Sequence, residues 1–215
     1  MKRFWFSFLL LTAFSLSTFS LLTAQDAWRV IPSESPQDHH PLPFLKAIGV
    51  PATATYRGEK HKAFVFISGH EKGPGVYHPA IEVYIEGLHQ FVPREELELF
   101  EGPAPSDAAD EVRVMAVSIR RGKRVYRAMN SVDLHMGEYP ASIVGEGDNN
   151  VFGTEVFTKG PRRAAWRQLM REMSSGFDEG HISFGGKVPS SKIEIDFSGN
   201  GIEPLLKVLI RFVGL

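Results

Sequence analysis

The chain has 215 residues, no cysteine, and 24 Lys and Arg against 25 Asp and Glu, for a formal net charge of −1. Without cysteine there can be no disulfide, thiolate zinc site, iron–sulfur cluster, Cys-linked lipid anchor or thioether-bound haem. Without a basic excess the chain lacks the charge that phosphate-binding surfaces use, so nucleic acid is not an expected partner.

The first expected element is an address. Lys2 and Arg3 precede an uncharged stretch over residues 4–24, rich in Leu and Phe and ending on the small residue Ala24. A positive start, an apolar segment and a small residue before the cut make a secretory signal peptide. Residues 1–24 are therefore expected to be removed and the remainder exported, to the periplasm or beyond. An uncleaved N-terminal membrane anchor is the competing reading, because the stretch is about as long as the ~20 residues that span a bilayer. Seven Ser and Thr residues from Ser7 to Thr23 dilute its hydrophobicity and favour cleavage. Cleavage leaves 191 residues with a net charge near −3. That length suits one domain with an adequate core, and its lack of cysteine suits a bacterial periplasm or envelope better than a disulfide-stapled extracellular module.

Residues 25–51 hold Pro32, Pro36, Pro41, Pro43 and Pro51 and read as a lead-in, irregular or partly extended. Leu42, Phe44, Leu45 and Ile48 are expected to dock it on a single domain over residues 52–215. Within that domain, residues 63–68 (AFVFIS) are apolar on both faces, as in a strand buried on each side. Ile81, Val83 and Ile85 alternate with Glu82, Tyr84 and Glu86, as in a half-buried strand. The two are expected to pair through a long loop at residues 69–79, which contains Gly73, Pro74, Gly75 and Pro79. A second hairpin is expected over residues 112–120 and 123–130, turning at Arg121 and Gly122, after a surface loop at 102–111.

Further strands are expected near residues 151–157, 181–184 and 193–197. A helix over about 161–175 follows from Pro161 in its first turn and from Trp166, Leu169, Met170 and Met173 at helical spacing. A closing helix over about 202–213 follows from the stripe Ile202, Leu205, Leu206, Leu209, Ile210 and Val213. The expected fold class is α+β, a mainly antiparallel β-sheet or sandwich with two helices.

Three groups of residues carry candidate chemistry. His70, Glu71 and His78, at the ends of the 69–79 loop, supply two imidazoles and a carboxylate for Zn²⁺ or a similar metal, although no HExxH-type spacing accompanies them. Asp196, Ser198 and Asn200 alternate ahead of Gly201 like the first half of a calcium loop. The pattern then fails, with Glu203 and Lys207 at its eighth and twelfth positions, so a strand-to-helix turn capped by Ser198 or Asn200 competes with Ca²⁺ binding. The same turn is a poor phosphate cradle, since Pro204 stands where a third glycine is needed. Arg163, Arg167 and Arg171 recur every fourth residue as a basic stripe that suits an acidic glycan, a lipid head group or a partner protein. No G-x-S-x-G elbow occurs; Ser68-Gly69-His70 comes nearest. The closing helix is too short to span a bilayer and either docks as core or meets a partner or membrane surface.

The sequence thus predicts an exported, non-catalytic binding or envelope-assembly module whose partner is an envelope protein or a glycan, with membrane contact confined to the signal segment or the periphery. The alternative is a metal-dependent hydrolase built on His70, Glu71 and His78.

Overall fold

The computed structural model describes residues 26–31, 47–73, 76–101, 113–137, 139–144, 150–156, 162–185 and 193–213. The expected signal peptide, Leu42, Phe44 and Leu45 of the lead-in, the 102–111 loop and Pro161 lie outside them. Among the described residues, ten strands form one antiparallel sheet: β1 (Arg29–Ile31), β2 (Ala47–Tyr56), β3 (Glu59–Gly73), β4 (Val76–Ile85), β5 (Val114–Arg121), β6 (Arg124–Ser131), β7 (Asp133–Met136), β8 (Asn150–Glu155), β9 (Glu179–Gly185) and β10 (Ile193–Ser198). Their order is β6-β5-β9-β10-β2-β3-β4-β8-β7, with β1 paired to β2. Short helices α1 (Leu88–Phe91), α2 (Arg94–Leu97) and α3 (Ala141–Val144) and the longer α4 (Arg163–Met173) and α5 (Ile202–Val213) complete an α+β fold.

The connection between β6 and β7 explains the shape. These strands stand at opposite ends of the sheet order, yet only Val132 separates them in the chain. The sheet must therefore curl until its ends approach, giving a half-barrel. The Thr154 hydroxyl on β8 fastens this corner by donating to the Ser131 carbonyl at 2.6 Å.

The concave side holds the main core. Ile48, Val65, Val83, Val117, Phe152, Ile182 and Ile195 meet Trp166, Leu169, Met170 and Met173 of α4 and Ile202, Leu206 and Leu209 of α5. Burying one such side chain contributes about 1.5–3 kcal/mol, which explains why two amphipathic helices settle on this face. The Trp166 indole also donates to the Met129 carbonyl at 3.3 Å, fixing α4 beside β6 at the end of the sheet. The closing helix is thus core on one face, with Val208 exposed on another.

Three local expectations are corrected. Residues 47–51, assigned to a lead-in that is irregular or partly extended, are instead the start of β2 in the middle of the sheet, while Ile48 is fully buried as its expected docking requires. Pro51 is tolerated because β1 pairs with residues 47–49 of β2 and β10 with residues 52–56, leaving proline in the gap between them. The long loop at 69–79 is replaced by strand: β3 runs to Gly73 and β4 starts at Val76, with a register shift between Glu71 and Gly73. Glu82 and Tyr84, expected on a solvent face, are 2% and 5% exposed.

That last correction reveals a second, smaller core on the outer face. Ile31, Ala47, Phe64, Phe66, Tyr84 and Val151 pack there beneath Tyr139 and Val144. The Phe66 and Tyr139 rings stack with centroids 3.8 Å apart.

Candidate functional site

Period-two alternation sends one set of side chains inward, and register decides which outward-facing ones become neighbours. Arg127 on β6, Ser118 on β5, His181 on β9, Asp196 on β10, Thr53 on β2 and Lys62 on β3 are successive register partners across six strands. Within this row, His181 Nδ1 lies 2.8 Å from Asp196 Oδ1, and the Ser118 hydroxyl donates to the His181 carbonyl at 3.3 Å. One row along, Arg120 meets Glu179 at 2.7 Å and Asp178 at 3.7 Å. Asp178 also accepts the Gly122 amide at 2.8 Å, tying the wall to the β5–β6 turn.

These side chains border an open concavity of about 710 Å³. Its walls carry four carboxylates, from Asp26, Asp178, Glu179 and Asp196, against the Arg120 guanidinium and the His181 imidazole. Thr53, Ser118 and Ser198 add hydroxyls. Such a surface can hydrogen-bond a polar ligand at many points and favours a positive group.

The other half of the outer face is closed over a buried carboxylate. Glu82 accepts from the Ser68 hydroxyl at 2.7 Å and from the Tyr139 hydroxyl, and its second oxygen lies 3.0 Å from His135 Nε2. His135 Nδ1 stands 3.6 Å from Asp133. Glu82, Gly153 and Asp133 are register partners across β4, β8 and β7, and a Cβ on Gly153 would collide with the His135 ring. Glycine there is what lets the imidazole reach Glu82. The hydrogen bond to Glu82 raises the His135 pKa, with the charges of Glu82 and Asp133 adding to it against partial burial. Burial, followed by the Glu82 charge, pushes the Tyr139 hydroxyl well above its ordinary range, so Tyr139 stays a donor.

The predicted site residues fall in different places. His70 and His78 are register partners across β3 and β4, while Glu71 faces Tyr77 in the ladder. Asp196 and Ser198 line the outer concavity beside His181. The Ser198 hydroxyl accepts the Asn200 amide at 3.1 Å, which shapes the turn ahead of α5 without capping an amide of the helix itself. The carbonyls of Ser198 and Asn200 accept from the Trp28 indole at 2.7 Å and the Trp28 amide at 2.9 Å. Among the described residues, no three His, Asp or Glu side chains gather at metal-binding spacing. Arg163, Arg167 and Arg171 all lie exposed on α4, and the latter two line a cleft against α5.

Sequence reasoning missed His181, Ser118, Thr53, Arg120, Asp178 and Glu179. Alternation on β10 marks Asp196 and Ser198 as outward, but the registers that bring the others beside them join strands far apart in the chain. No protein-family model matches this chain, and no curated protein or solved structure is significantly similar to it.

Proposed function

We propose that this chain is an exported, non-catalytic binding module of the periplasm or cell envelope, and that the outer-face concavity is its recognition surface. The observation that carries the reading is the concavity's wall, where His181 pairs with Asp196 and Arg120 with Glu179, so that charged and hydrogen-bonding groups face an open, solvent-filled surface. Export rests on the leading segment, with Lys2 and Arg3 before an uncharged stretch ending at Ala24. Of the two partner classes, a glycan suits the wall better than an envelope protein. Seven of its fifteen lining residues bear hydroxyls or carboxylates and Phe197 is buried, whereas protein interfaces centre on exposed aromatic, Met and Arg anchors. The acidic excess favours a sugar bearing free amines.

Titration of the purified protein with a glucosamine tetramer and with its N-acetylated counterpart tests this. The amine form is expected to bind the more tightly, and Asp196→Asn to weaken it by about threefold to tenfold. Failure of both oligomers to bind, or binding indifferent to Asp196→Asn, counts against the reading.

A second reading, a metal-dependent hydrolase, draws on the direct pairing of His70 with His78 across β3 and β4. It requires stoichiometric zinc in the purified protein and its loss in His70→Ala. Calcium at Asp196, Ser198 and Asn200 requires a thermal shift on adding Ca²⁺ that disappears in Asp196→Ala.

A further inference from the structure

We infer that the cleft between α4 and α5 is a second binding site, for an anion that carries a short apolar chain: an alkyl group ending in a phosphate or carboxylate. The inference stands on the helices, not on the outer face, and holds or fails independently of the glycan reading.

The cleft encloses about 480 Å³ and is lined by Ala164, Arg167, Gln168, Met170, Arg171, Ser174 and Ile210. That volume falls in the range of small-ligand sites. Arg167 and Arg171 are one helical turn apart and stand on the same wall. The cleft lining contains no carboxylate, and neither arginine has an ion-pair partner among the described residues. Elsewhere in the molecule Arg57, Arg94, Arg120 and Arg121 each meet a carboxylate within 3.0 Å. The nearest candidate on α4 itself, Glu172, is taken by Arg121 at 3.0 Å. Lys123 and Arg124 are also exposed, but they line neither this cleft nor the outer concavity. What sets Arg167 and Arg171 apart is that two guanidinium groups stand over a concave surface.

The rest of the cleft defines the ligand. Ala164, Met170 and the half-buried Ile210 make the larger part of the lining beside the charges apolar, with Gln168 and Ser174 its polar remainder. Paired guanidinium forks favour bidentate recognition of phosphate or carboxylate, while Met and Ile beside them favour hydrocarbon. Inorganic phosphate satisfies only the first requirement and a neutral alkane only the second.

The test is calorimetric titration of the purified protein with octyl phosphate and with inorganic phosphate. Octyl phosphate is expected to bind at least about tenfold more tightly than inorganic phosphate. Arg167→Gln with Arg171→Gln is expected to weaken octyl phosphate by about tenfold or more, whereas Lys123→Gln with Arg124→Gln, an equal change of net charge, leaves it unchanged. Ala164→Phe, at an exposed helix position where folding is not at risk, is expected to fill the cleft and exclude the chain. The proposal is overturned if octyl phosphate does not bind, if the double arginine variant binds it as the parent does, or if inorganic phosphate binds equally well. Sedimentation with phosphatidylglycerol vesicles, compared with phosphatidylcholine vesicles, identifies the natural source. Arginine-dependent sedimentation supports a membrane head group, and its absence alongside octyl phosphate binding supports a free alkyl anion.

Discussion

Over β3, β4 and β8 the outer face is roofed by Tyr139 and Val144, and Glu82 beneath them is 2% exposed. Over β2, β10, β9 and β5 the same face is open, and the Asp196 side chain keeps 70% of its exposure. Both regions set a carboxylate against a histidine, Glu82 with His135 and Asp196 with His181, at 3.0 and 2.8 Å. The pairs look alike in geometry but differ in solvent. A buried carboxylate depends on every donor around it, whereas an exposed one exchanges its partners with water at small cost. The closed half is therefore where polar groups hold the fold, and the open half is where they are available to a ligand.

Substitution at the buried carboxylate should have the largest effect. Glu82→Ala strands the Ser68 and Tyr139 hydroxyls and the His135 ring, and is expected to cost about 3–5 kcal/mol in urea unfolding. A loss below about 1 kcal/mol would mean the roof is held by the Phe66–Tyr139 stack alone. Gly153→Ala comes next, since the added methyl displaces His135 from Glu82 with an expected loss of about 1–3 kcal/mol.

The pH dependence of stability is a smaller effect with a definite sign. The folded pKa of His135 is raised, so its contribution is complete below the unfolded value, near 6.5, and fades as pH rises through the folded one. Unfolding followed from pH 6 upward should show this decline in the parent and a flatter profile in His135→Gln. At the bottom of the scale, Asp196→Asn in the open half should change stability by less than about 0.5 kcal/mol while weakening the ligand. A stability loss as large as that of Glu82→Ala would erase the distinction between the halves.

Much of the fold is legible in the sequence because its signals are local. Residues 63–68 read as doubly buried, and they are: Val65 and Ile67 face the main core while Phe64 and Phe66 face the minor one. The stripe Trp166, Leu169, Met170 and Met173 marks the buried face of α4. Other features depend on distant chain. β2 is obscured by Pro51, whose tolerance comes from β1 and β10 ending on either side of it. Glu82 sits in a clean alternation that implies solvent, and only Tyr139 and His135, more than fifty residues on, make its burial possible. The open site was half visible: Asp196 and Ser198 stood out as oxygen ligands, but His181 becomes their neighbour only through the β9–β10 register.

The most direct measurement is backbone amide chemical-shift mapping as the glucosamine tetramer is added. The account predicts perturbations concentrated at Thr53, Ser118, His181 and Asp196, with Ser68, Glu82 and Tyr139 undisturbed. Perturbations centred on the roofed half, or none at saturating tetramer, would contradict it.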